Sequence, residues 1–216
     1  MPNPIPLLLA LAGLASMTPA AMAQDAAAGA QKAQMCIGCH GIVDYKASFP
    51  EVHRVPMIAG QNAKYLENAL LAYKKGERKH PTMRAIATTL GEKDMADLAA
   101  YYEQQGQGSV KTVAAVPAPP AAVQELLTKG NCASCHGAEF NKPIDPSYPK
   151  LAGQYRDYLY VALKSYQIEG NPRVGRGNAI MAAQVQQFKH AELKAIANYL
   201  GTLPPSVATV PQSRFR

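Results

Sequence analysis

Apolar residues recur at intervals of three and four along much of the chain. Tyr65, Leu66, Ala69, Leu70 and Tyr73 mark one such stripe and predict an amphipathic helix over 62–75; Tyr158, Leu159, Leu163 and Tyr166 repeat it and predict another over 155–167. Further helices are expected over Glu92–Gln105 and His190–Leu200, and two more over about 26–35 and Ala121–Lys129. No alternating apolar and polar run and no Asn-Gly hairpin signal is present. The expected fold class is all-α.

These elements form one pattern written twice. MCIGCHG, from Met35 to Gly41, returns as NCASCHG, from Asn131 to Gly137. PMIAGQ, from Pro56 to Gln61, returns as PKLAGQ, from Pro149 to Gln154. Tyr65 and Leu66 then match Tyr158 and Leu159, Leu70 matches Leu163, and Tyr73 matches Tyr166. Further on Met83 matches Met181, each with a helix after it, pairing Leu90 with Phe188, Met95 with Leu193 and Tyr101 with Tyr199. Between the copies, 106–122 is rich in Gly, Pro and Ala without helical periodicity, as a linker would be. The expected domains are therefore 24–105 and 123–216. At that size apolar burial alone is marginal, so a cofactor or staple is expected to complete each core.

Composition excludes other classes. Of 216 residues, 48% are hydrophobic and 17% charged, which rules out a disordered chain. The longest unbroken apolar stretch, from Ile5 to Leu14, is about half the ~20 residues a membrane-spanning helix needs. Followed by Ala21, Met22 and Ala23, it has the form of a secretory signal over 1–23, although no Lys or Arg precedes it. Pro2, Pro4 and Pro6 argue against a buried helix there. An exported chain with four cysteines in an oxidising compartment needs a reason for their spacing. The 22 basic residues exceed the 15 acidic ones but are scattered, so nucleic-acid binding is not expected.

All four cysteines lie in CxxCH groups: Cys36 and Cys39 before His40, Cys132 and Cys135 before His136. In a helical turn each pair shares one face with its His, so one edge of a planar macrocycle can be held there. CxxCH is the attachment motif of c-type haem: both thiols add to vinyl groups and the imidazole becomes the proximal iron ligand. A zinc site would tie distant repeats together and leave the His unexplained, a thioredoxin-like dithiol expects a βαβ setting, and simple disulfides require no His. Two covalent haem c groups are the expected cofactors.

A second side chain on the iron favours electron transfer over ligand chemistry. Beyond His136 the second copy has only Met181 and His190 as candidates, with His190 in the first turn of the last helix. The first copy offers Met57, Met83, Met95, His53 and His80. Only Met83 aligns with Met181, so Met83 and Met181 are the expected sixth ligands, with His80, matched by Asn178, the main rival in the first copy. Met95 and Met35 are read as core filler. The carbonyls of Pro56 and Pro149 are placed to accept the other ring N–H of His40 and His136, or these prolines merely start the next segment. Tyr65, Tyr158, Gln61 and Gln154 could bond haem propionates, or pack.

With these motifs the chain resembles a tandem class I cytochrome c, specifically the c4-type dihaem cytochromes c of bacterial periplasms. The resemblance covers nearly all of the chain after 23. It implies two cytochrome folds related by a pseudo-twofold, each wrapped round one covalent haem, with His40 and Met83, and His136 and Met181, as axial pairs. It further implies an electron carrier, not an enzyme, passing electrons from a membrane-bound donor such as a bc1-type complex to a terminal oxidase. A monomer with possible peripheral membrane association is expected. A dihaem subunit of a flavocytochrome or other dehydrogenase, and a dihaem peroxidase, are the alternatives. Two departures are a longer segment, 45–54, in the first copy, and a tail beyond Pro204 and Pro205 that ends in Arg214 and Arg216. Residues 24–113 carry 11 basic and 9 acidic groups and 114–216 carry 11 and 6, so the second half is the more positive.

Overall fold

The computed structural model describes residues 24–108 and 116–211. The expected signal, the middle of the expected linker, and Arg214 and Arg216 lie outside the described residues. The first copy begins with α1 (Ala26–Lys32), held at its start by the Asp25 carboxylate, which accepts the amides of Ala27 (2.9 Å) and Ala28 (3.1 Å). The expected helix over 26–35 breaks at Ala33, and α2 (Gln34–His40) carries the first CxxCH. Next come α3 (Ala63–Lys75), α4 (Pro81–Thr88) and α5 (Glu92–Gln105). The second copy repeats the order as α6 (Ala121–Lys129), α7 (Cys132–His136), α8 (Arg156–Tyr166), α9 (Ala179–Val185) and α10 (His190–Leu200). No described helix is long and apolar enough to cross a membrane.

Two features differ from the sequence expectation. The longer segment of the first copy forms a small hairpin, β1 (Lys46–Ala47) and β2 (His53–Arg54), too short for any alternation to show. And Met83 and Met181 lie inside short helices, at the third position of α4 and α9, rather than ahead of the next long ones. Helices of seven or eight residues span barely two turns, too few for a periodic stripe.

Each copy has its own core. In the first, Ile37, Leu90, Met95, Leu98 and Tyr102 cluster where α2 meets α5; in the second, Leu127, Phe188, Leu193, Ile196 and Leu200 do so where α6 meets α10. The matched residues Met95 and Leu193 are both fully buried, so Met95 is core filler as expected. Met35 is not: it is 52% exposed and lines the cavity beside Cys36 instead of joining Ile37 in the core. α1 crosses α5 at Gly29, where a Cβ would stand 2.1 Å from the Asp97 carbonyl oxygen.

Asp97 closes that crossing. Its carboxylate is fully buried and meets Lys32 at 2.8 Å and Lys93 at 2.9 Å, and accepts the Asp25 amide at 2.9 Å. The bond from Lys32 leads in holding its pKa well below the usual carboxylate range, against burial, which raises it. A depressed carboxylate stabilises the fold above its unfolded value of about 3.9 and loses that contribution as pH falls through the native value. Asp97→Asn is expected to cost about 2 kcal/mol at pH 7, since both lysines are partly exposed and regain water, and the difference from the parent should shrink below about pH 4. Denaturant unfolding at pH 7 and pH 3 checks this; equal differences at both would refute it.

The two copies pack face to face about a pseudo-twofold axis, visible in reciprocal bonds. Gln61 clamps the Lys150 backbone (Nε2 to the carbonyl, 2.9 Å; Oε1 from the amide, 2.9 Å), and Gln154 clamps that of Met57 in the same way (2.8 and 3.0 Å). The matched residues Arg78 and Arg176 pair through their backbones as an antiparallel bridge. Ion pairs Arg54–Asp157 (3.1 Å) and Lys164–Glu51 (2.8 Å) flank the joint.

Candidate functional site

In α2 the Cys36, Cys39 and His40 side chains line a cavity of about 410 Å³ that extends to the domain joint. His40 Nδ1 stands 2.9 Å from the Pro56 carbonyl oxygen, and His136 Nδ1 stands 3.0 Å from that of Pro149. A carbonyl can only accept, so Nδ1 carries the proton in each ring and Nε2 keeps a lone pair for a metal. Burial pushes both imidazole pKa values down, which favours that neutral form. Of the two roles open to the prolines in the sequence, the structure shows the carbonyl support, in duplicate.

Met83 also lines the cavity. Its placement comes from the helix start: His80 is the N-cap of α4 and its Nδ1 accepts the Met83 amide (3.4 Å), with Pro81 in the first turn. Asn178 does the same for α9 by accepting the Met181 amide at 2.9 Å. His80, the rival ligand in the first copy, and its counterpart Asn178 thus share a role as helix N-caps. In the second copy Met181 and Cys132 pack against one apolar cluster, with His136 buried beside Tyr148. Met57 engages Gln154 through its backbone, His53 donates Nδ1–H to the Glu51 carbonyl (2.8 Å), and His190 opens α10.

The cavity reaches the domain joint at two residues that sequence reasoning missed. Arg78 donates to the Tyr65 hydroxyl and Arg176 to that of Tyr158, both at 3.1 Å, and each guanidinium also lies over a second ring, Tyr73 at 5.7 Å or Tyr166 at 5.6 Å. Both arginines line the cavity, and among the described residues neither is in an ion pair. Two like charges at an apolar joint with only phenols for company call for anions. Burial pushes the Tyr65 pKa up to about 12, so that phenol is neutral and supplies no charge, whereas at Tyr158 burial is outweighed by Arg176 and Arg78, which pull its pKa down. The residues therefore fit a planar apolar group that is held at one edge by two thiols, faced by an imidazole and a thioether, and carries carboxylates at its other edge. The matched positions of Arg78 and Arg176, at the offset that pairs Met83 with Met181, were the available signal. Gln61 and Gln154, candidates for the same anions, instead spend their amides on the joint.

The model of the cytochrome c family matches residues 26–105 and again 120–204. A cytochrome c4 of Pseudomonas aeruginosa is 30% identical over 203 residues, covering 90% of this chain and 94% of that protein. A thiosulfate dehydrogenase electron acceptor of Stutzerimonas stutzeri is 27% identical over 208 residues, with 89% and 94% covered. Among solved structures, reduced recombinant cytochrome c4 from Pseudomonas stutzeri superposes with a TM-score of 0.64 at 27% identity, over 84% of this chain and all of that one.

Proposed function

Because this chain belongs to the cytochrome c family, with the family domain present twice, we propose that it is a periplasmic carrier that relays single electrons between its two domains and between redox partner proteins. It carries two covalently bound haem c groups. Each, when bound, supplies a one-electron iron couple. Cys36 and Cys39 hold one through thioether bonds, and Cys132 and Cys135 the other. His40 and His136, kept in the Nδ1–H tautomer by Pro56 and Pro149, would offer Nε2 to the iron. Met83 and Met181 would supply the thioethers that complete the iron's ligand set and so leave no room for peroxide or other small substrates, which favours a carrier over a peroxidase. Arg78 and Arg176 neutralise propionate charge at the joint. The observation that carries this reading is the duplicated imidazole–proline carbonyl bond, seated beside the thiol pair in both copies.

The proposed partners are a membrane-bound donor such as a bc1-type complex and a terminal oxidase. Similarity to thiosulfate dehydrogenase electron acceptors favours a second reading, in which a periplasmic dehydrogenase is the donor. The test is to purify the exported holoprotein and mix it, oxidised, with a bc1-type complex plus quinol or with a thiosulfate dehydrogenase plus thiosulfate. Two haems per chain, no carbon monoxide binding and fast reduction by one donor are expected. High-spin iron with peroxide turnover would overturn the carrier reading. Since residues 114–216 hold five more basic than acidic groups against two for 24–113, reduction by an acidic partner should slow several-fold between low and physiological salt. A salt-independent rate would show that these charges do not steer docking.

A further inference from the structure

Past α10, the chain runs into a tail that lies outside the family match, which ends at residue 204. Pro204 and Pro205 cannot extend the helix, and Pro205 packs directly on Gly153, where a Cβ would stand 2.3 Å from the proline Cα. Ser206 then bonds the Ala152 carbonyl through both its amide and its hydroxyl, each at 3.0 Å. Val207 is buried, at 1% exposure. The next residue leaves its own domain: the Ala208 amide donates to the Ala59 carbonyl (2.9 Å), and the Ala208 carbonyl accepts the Ala59 amide (3.1 Å). Thr209 reaches the Tyr155 hydroxyl (3.4 Å), on the ring over which Arg54 of the first domain stacks at 4.5 Å.

Ala59 and Ala152 are the same position of the repeated motif, so the tail grips equivalent points on both domains across the pseudo-twofold. Each point lies three residues after the proline whose carbonyl orients the proximal His, and two before the glutamine that clamps the opposite domain. We infer that 206–209 is an interdomain strap whose residues are positioning residues for electron transfer between the two domains: it fixes the His40 support relative to the His136 support. The step it serves moves one electron from the ferrous iron of one domain to the ferric iron of the other. The inference rests on the carrier reading only in requiring that this step occurs.

The test uses holoprotein with both haems, comparing the parent with Ala208→Pro, which removes the amide bonded to Ala59, with Ala208→Ser, which keeps it, and with a chain ending at Pro205. Hydrogen exchange at the Ala59 amide reports the strap, haem spectra report each site, and the rate of electron redistribution after a substoichiometric pulse of reductant reports the step. Ala208→Pro and the shortened chain are expected to exchange faster at Ala59 and redistribute electrons several-fold more slowly with unchanged spectra, and Ala208→Ser to match the parent. Unchanged redistribution in Ala208→Pro despite faster exchange at Ala59 would overturn the strap, as would a loss shared by Ala208→Ser. If the parent itself showed no redistribution, the relay reading would fail instead.

Discussion

Replacing Met83 with Ala is expected to lower the potential of one haem by on the order of 0.2 V, a fraction of the ~0.8 V over which axial ligands set haem potentials, and to leave the other nearly unmoved. A thioether stabilises ferrous over ferric iron, so its loss favours the oxidised state. The effect stays local because the two apolar cores are separate clusters and each methionine is positioned by its own capped helix, His80 for α4 and Asn178 for α9. Met181→Ala should move the other haem by a similar amount. Each variant should also bind carbon monoxide at one centre, because the side chain that closed that face is gone. Redox titration followed in the visible spectrum checks both statements. Equal shifts of both haems, or none, would remove Met83 and Met181 from the ligand set.

Cys36→Ser combined with Cys39→Ser should yield a chain with one haem and an unfolded first domain. The cavity lined by these residues measures about 410 Å³. Without the haem this apolar-lined space is left to water, and the domain loses the burial that would complete its small core. The remaining core, Ile37, Leu90, Met95, Leu98 and Tyr102, is too small to offset that. The second domain keeps its own larger cluster and should stay folded. Limited proteolysis is expected to remove the first domain and leave a haem-bearing fragment that begins near α6, together with about half the parent's haem absorbance per chain. Survival of the first domain without haem would show that its helices, not the cofactor, supply the fold.

Much of the site was legible because its chemistry is local in sequence. Cys36, Cys39 and His40 share one turn of helix, and that spacing alone names the attachment chemistry. The duplication acted as an internal alignment: it singled out Met83 from three methionines and two histidines. It also pointed to the prolines, whose carbonyls the structure places against His40 and His136. The misses were of other kinds. Met35 reads as filler from residue type, yet it lines the cavity next to Cys36 and stays half exposed, outside the apolar core. The helices that carry Met83 and Met181 were too short for periodicity. The arginines at the joint were overlooked because an isolated Arg reads as a solvated charge until its surroundings are known.

The amino-acid sequence by itself determined that the chain is helical, that it holds two copies of one unit, and that each unit sets a thiol pair beside an imidazole at the spacing that suits covalent haem. These follow from spacings of three and four residues and from one repeat, quantities written along the covalent chain. Only the tertiary structure decided what lies between the copies: that Gln61 and Gln154 clamp the opposite domain, that Arg78 and Arg176 face a shared cavity, and that Ala208 bonds Ala59. Those contacts join residues roughly 90 to 150 positions apart, and whether they form depends on how two folded bodies dock. Docking is fixed by the shape and polarity of assembled surfaces, which no single segment contains.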